Sequence, residues 1–74
     1  MTMTMTAEAA ADRARRARDA YASLGSLETA IFMADKARSL SGEAMDDVLA
    51  LADLLHRDGQ HRRALGVLRH AGDA

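Results

Sequence analysis

Apolar residues recur along most of the chain at steps of three and four, the spacing that gathers side chains on one face of an α-helix. The strongest stripe is Val48, Leu51, Ala52 and Leu55, and it predicts a helix over residues 44–57. Leu27, Ala30, Ile31, Ala34 and Ala37 do the same for residues 27–40. Ala64, Leu65, Val67, Leu68 and Ala71 mark a helix over 60–71, with Gly66 inside it and Gly72 at its end. The first periodic stretch, residues 7–23, has Ala10, Ala14, Ala17 and Tyr21 in line with Leu24. That face is built of small residues, so it permits close approach but buries little area. Gly25 and Asp58-Gly59 close the first and third helices, because a residue without Cβ takes the left-handed conformation that ends a helix. Thr6, Ser26 and Ser41 are candidate caps for the helices that follow them. Met1-Thr2-Met3-Thr4-Met5-Thr6 alternates apolar and polar, but one short strand has no partner, so residues 1–6 read as a disordered leader.

The bends share a register. Gly25 and Gly59 stand 34 residues apart, as do Ala30 and Ala64, Ala34 and Leu68, and Ala37 and Ala71. A 34-residue period with glycine at the bend and alanine in the next helix points to tetratricopeptide repeats. The predicted architecture is all-α. Two helix–turn–helix repeats, residues 7–42 and 43–74, supply four antiparallel helices as a fragment of a right-handed solenoid. The residues expected to define the packing are Tyr21, Gly25, Ala30, Ala34, Ala37, Ala52, Leu55, Gly59, Ala64, Leu68 and Ala71. Ala52 suits close packing against Ala64, whereas its upstream counterpart is Arg18, so the first repeat is the weaker match. An antiparallel four-helix bundle with a coincidental period obeys the same local rules and is the alternative.

Size and composition sharpen this. Seventy-four residues without cysteine form one small domain with little core and no disulfide. Two repeats are fewer than the three or so that stacked repeats need, so a fragment of a longer protein, or a unit stabilised by association, is expected. The absence of proline and the near absence of aromatics (Tyr21 and Phe32 alone) favour helix over sheet. A net charge of −1 makes no bulk electrostatic case for nucleic acid or an anionic membrane. No apolar run approaches the ~20 residues of a bilayer span, and no secretory signal is visible. An intracellular protein is the expectation.

Little in the chain suggests chemistry. His56 and His61 flank the Gly59 bend and lack the spacing of a helical metal pair, His70 is distant, and no cysteine completes a zinc site. There is no phosphate loop, nucleophile motif or poised carboxylate pair. No catalysis, cofactor, metal or small-molecule substrate is therefore expected. Arg13, Arg15, Arg16 and Arg18 spread around their helix and read as a solvated surface bracketed by Asp12 and Asp19. Asp19 and Asp53 fall at equivalent positions of the first helices, which line the concave groove of such arrays. Acids there repel an acidic-tailed peptide and suit a neutral or basic ligand, unless both are simply solvated. Phe32 and Met33 cannot both face the seam made by Ala30, Ile31 and Ala34. With Asp19 and Asp53 they are candidate partner or dimer contacts; the alternative is that one of them packs under a neighbouring helix.

Beyond the generic repeat, Thr29-Ala30-Ile31-Phe32-Met33-Ala34-Asp35-Lys36-Ala37 resembles a segment near the N-terminus of the sixth subunit of the anaphase-promoting complex. That family shows Ala, an aliphatic, Phe, an aromatic, then Ala-Asp-Lys. Asp47-Val48 with Ala52, then Gln60-His61-Arg62-Arg63-Ala64, is similar to its next repeat, and the spacing between the two segments fits. Met33 and His61 replace aromatics of the family. The resemblance implies a non-catalytic scaffold and dimerisation segment of a cell-cycle ubiquitin ligase, present in nucleus and cytoplasm. Its expected partners are other ligase subunits and a second copy. An unrelated tetratricopeptide adaptor that binds one peptide or protein is the alternative, and a small enzyme or metal protein built on the histidines a more distant one.

Overall fold

The computed structural model describes residues 6–72, so the expected leader lies outside the described residues except for Thr6. Four helices follow one another: α1 (Ala7–Ser23), α2 (Leu27–Leu40), α3 (Met45–Arg57) and α4 (His61–Gly72). No strand occurs among the described residues. Packing runs in chain order, α1 on α2, α2 on α3, and α3 on α4, in a slab of 45 × 33 × 13 Å. A four-helix bundle would bring α1 against α4. The ordered stacking seen here is that of tetratricopeptide-like helical hairpins.

One joint is used three times. After α1, Gly25 lies at φ +79°, the Gly25 N–H donates to Ala22 O (3.0 Å) and the Ser26 N–H to Tyr21 O (2.9 Å). After α3, Gly59 is at φ +82°, with Gly59 N–H to His56 O (3.0 Å) and Gln60 N–H to Leu55 O (2.8 Å). Between them Gly42 is at φ +68°, with Gly42 N–H to Ser39 O (3.3 Å) and Glu43 N–H to Arg38 O (2.8 Å). Each is a Schellman closure, in which the chain satisfies the last carbonyls of a helix by turning left-handed. Gly25, Gly42 and Gly59 are spaced evenly, 17 residues apart, so the bend inside a repeat and the link between repeats are one device.

The helix starts are less uniform. The Thr6 hydroxyl accepts from the Ala9 N–H at 3.1 Å, which caps α1. Ser26 precedes α2 but its side chain makes no capping bond. Ser41 accepts from the Ala44 N–H at 3.2 Å and donates to Arg38 O at 3.2 Å, so its hydroxyl braces the link while Ala44 stands at the start of α3. The third and fourth helices therefore begin one residue later than their apolar pattern predicts, and Gly72 lies inside α4 rather than beyond it.

The core fills the seam between the hairpins. Ala30, Ala34, Ile31, Leu51, Ala52, Leu54, Leu55 and Ala64 form one cluster, with Ala22, Leu27 and Val67 packed on it. Alanines at full burial let α2 approach its neighbours, while Val48, Leu51 and Leu55 supply the volume. On α1 the buried residues are Ala11 and Ala14, with Ala10 and Ala17 at the margins. Tyr21 and Leu24, placed on that face by the sequence pattern, are 38% and 77% exposed. Leu68, also expected in the packing, is 40% exposed, and Ala71 is half-buried.

Gly66 is helical, exposed and without any neighbour where a Cβ would stand. Gly66→Ala is therefore expected to stabilise the fold by about 1 kcal/mol, through helix propensity alone. A chemical-denaturation midpoint unchanged or lowered by the substitution would contradict this.

Candidate functional site

Arg13 and Arg16 lie on the solvated surface expected of the α1 arginines, but Arg15 and Arg18 turn inward toward α3. Asp47, in the first turn of α3, is 1% exposed. Arg15 grips its carboxylate with two bonds, Nε to Oδ1 at 2.8 Å and Nη2 to Oδ2 at 2.6 Å. The third nitrogen, Nη1, reaches Asp12 Oδ1 at 2.7 Å. Arg18 adds a longer bond from Nη1 to Asp47 Oδ1 at 3.5 Å, and its Nε donates to Asp19 Oδ1 at 2.8 Å. The Arg15 guanidinium holds the Asp47 carboxyl below the usual carboxylate range, against the opposing effect of burial. Arg15 is in turn held more firmly in its charged form, chiefly by its bonds to Asp47 and Asp12. This bidentate pair fastens α1 to α3 and sets the rotation of the alanine-rich first helix. It is a clamp between repeats, and its donors and acceptors are already matched.

Asp19 and Asp53 consequently sit in different electrostatic settings. Asp19 is exposed and paired with Arg18. Asp53 stands on the wall of a groove between α3 and α4. The groove encloses about 520 Å³. Its floor is Ala52 and Ala64, and its walls are Leu49 and Asp53 on one side and Leu65 and Leu68 on the other. Leu49 and Leu65 are 50% and 58% exposed. Met45, 55% exposed, lies one turn before Leu49 on α3. At the bend the groove ends on His56 and His61, whose Nδ1 atoms are 2.8 Å apart, so one imidazole donates to the other. The rings meet edge to face at 4.5 Å between centroids.

Phe32 and Met33 are separated by the turn of α2. Phe32 is 63% exposed and shares a shallow hollow with Glu28, Asp35, Asp58 and Arg63. Met33 is half-buried on the opposite side, above Ala10, Ala14 and Ala17 of α1. They do not make one patch. Among the described residues no group of three or more His, Cys, Asp or Glu is placed to hold a metal ion. Nor is any helix long and apolar enough to cross a membrane.

Residues 23–74 match the model of a protein family described as "Anaphase-promoting complex, cyclosome, subunit 3". Neither a curated protein nor a solved structure matches the chain.

Proposed function

From the premise that the chain belongs to the anaphase-promoting complex, cyclosome, subunit 3 family, we propose that it is a non-catalytic helical-repeat scaffold segment of a cell-cycle ubiquitin ligase. In this role it contacts other ligase subunits and a second copy of itself, in nucleus and cytoplasm. The observation that carries the reading is Phe32. It is the chain's one phenylalanine, it is mostly exposed, and the core closes without it. An aromatic side chain left on the surface supports a contact there, since aromatic anchors are enriched where chains bind one another. The finer likeness to the sixth subunit rests on the same stretch, since Phe32, Asp35 and Lys36 are all exposed while Ala34 is buried. Packing explains the alanine and the ion pair with Arg38 accounts for Asp35, which leaves Phe32 and Lys36 to recognition.

Two measurements test this. Pull-down from dividing cells is expected to recover other subunits of the ligase, and Phe32→Ala is expected to lose them. Sedimentation at tens of micromolar is expected to show a dimer that Phe32→Ala weakens about thirtyfold, the scale of an aromatic anchor. The substitution should leave thermal stability nearly unchanged, because the side chain is exposed. A well-folded monomer at that concentration would remove the self-association part. Ligase subunits equally recovered by both chains would remove Phe32 as the contact.

A further inference from the structure

The α3–α4 groove has an occupied counterpart within the same molecule. Thirty-four residues before Leu49 and Ala52 stand Arg15 and Arg18, which hold Asp47 of α3. The same step takes Ala64, Leu65 and Leu68 back to Ala30, Ile31 and Ala34, which share the buried cluster with Leu51, Leu54 and Leu55 of α3. It takes His56 and His61 back to Ala22 and Leu27, which pack on that cluster. Position by position, the open groove of the second hairpin repeats the seat that α3 fills on the first. The first seat is covered by an amphipathic helix, and the second is shaped for another.

The differences between the two seats specify the occupant. Where the first offers Arg15 and Arg18 to a carboxylate, the second offers Leu49 and Ala52. An Asp at the place of Asp47 would meet aliphatic carbon and stay unpaired, whereas an aliphatic residue there is favoured. This also argues against a second copy of the chain as occupant. Its α3 brings Asp47 to that place, and its α1 brings Arg13, the residue 34 positions earlier. At the bend, His56 and His61 replace Ala22 and Leu27 and make that end polar. We infer that the α3–α4 groove is a docking site for an amphipathic helix of a partner protein. That helix carries the apolar spacing of Val48, Leu51 and Leu55, with an aliphatic residue in place of Asp47. The site is separate from Phe32, which does not line the groove.

The chain supplies its own probe. A helix-stapled peptide of residues 41–60 carrying Asp47→Leu is titrated into the full chain, with methyl NMR of Leu49, Leu65 and Leu68 as the readout. Saturable shifts at these methyls are expected. The unsubstituted peptide should bind at least about tenfold more weakly, because it buries an unpaired carboxylate. Leu65→Asp in the full chain should cost at least about tenfold in affinity for the Asp47→Leu peptide, with an unchanged circular dichroism spectrum because Leu65 is exposed. No shifts at millimolar peptide, or equal affinity of the two peptides, would overturn the inference. So would concentration-dependent shifts of the same methyls in the chain alone, which would assign the groove to a second copy. Loss of dimerisation in Phe32→Ala leaves these expectations unaltered, so the two surfaces fail or stand separately.

Discussion

Asp47→Ala is expected to destabilise the chain by about 3 kcal/mol, the upper end of the scale for hydrogen bonds to a charged group. For a domain of this size total stability is about 4 to 11 kcal/mol, so the variant should sit near the edge of folding. The cost has two sources. Arg15 and Arg18 lose the acceptor that turns them inward, and α1 loses the contact that sets its rotation, since Ala11 and Ala14 bury too little area to do so. Replacing both partners with aliphatic residues, Asp47→Leu with Arg15→Leu, should recover most of the loss, because no buried charge is left unpaired. Urea denaturation of the two variants and the parent gives the comparison. Near-equal stability of Asp47→Ala and the parent would show that the clamp adds nothing. The pair also predicts an acid dependence. The folded state holds the Asp47 carboxyl below its ordinary range, so its contribution is complete above the unfolded value, near pH 4, and is lost as pH falls through the folded value. Asp47→Asn should flatten that part of the stability profile.

Leu55→Ala should cost about as much, roughly 3 kcal/mol, within the range for a buried leucine that leaves a cavity. Leu55 is fully buried in the cluster that joins α2, α3 and α4. Half of the other residues in that cluster and packed on it are alanines, which cannot swing in to fill the space. Leu65→Ala, ten residues on and exposed, is the internal comparison and should stay within about 0.5 kcal/mol of the parent. Similar losses for the two leucines would contradict the placement of the core.

The helix joints were legible in the sequence because glycine has a backbone reason to be there. Gly25 and Gly59 located the ends of α1 and α3 to the residue. The stripes of α2 and α3 were legible because Ile31, Val48, Leu51 and Leu55 are large enough to leave only one face to bury. The rotation of α1 was not, since alanines on several sides of a helix serve equally well. What decides it is Arg15 reaching Asp47, a pair 32 residues apart that no local pattern announces. Tyr21 and Leu68 looked like packing residues because they keep helical spacing, yet each lies at the margin of its face. The groove was half legible. Met45, Leu49, Ala52 and His56 form a second stripe on α3 beside the core stripe, and a helix with two apolar faces needs two neighbours. The 34-residue step that revealed the repeat also related Leu49 to Arg15, but what Arg15 touches had to be known before the relation meant anything.

The chain-order packing of the four helices has a kinetic consequence. Apart from the Arg15–Asp47 clamp between α1 and α3, each helix packs mainly on those next to it along the chain, so most of the loops that must close are short and little entropy is lost before the first contacts form. Such low-contact-order helical proteins fold in about microseconds to milliseconds. For the same reason the last helix need not wait for the rest in order to leave. Apart from the buried Ala64, α4 is exposed or half-buried, and its packing is on α3, so it can open while the α1–α2–α3 clamp stays shut.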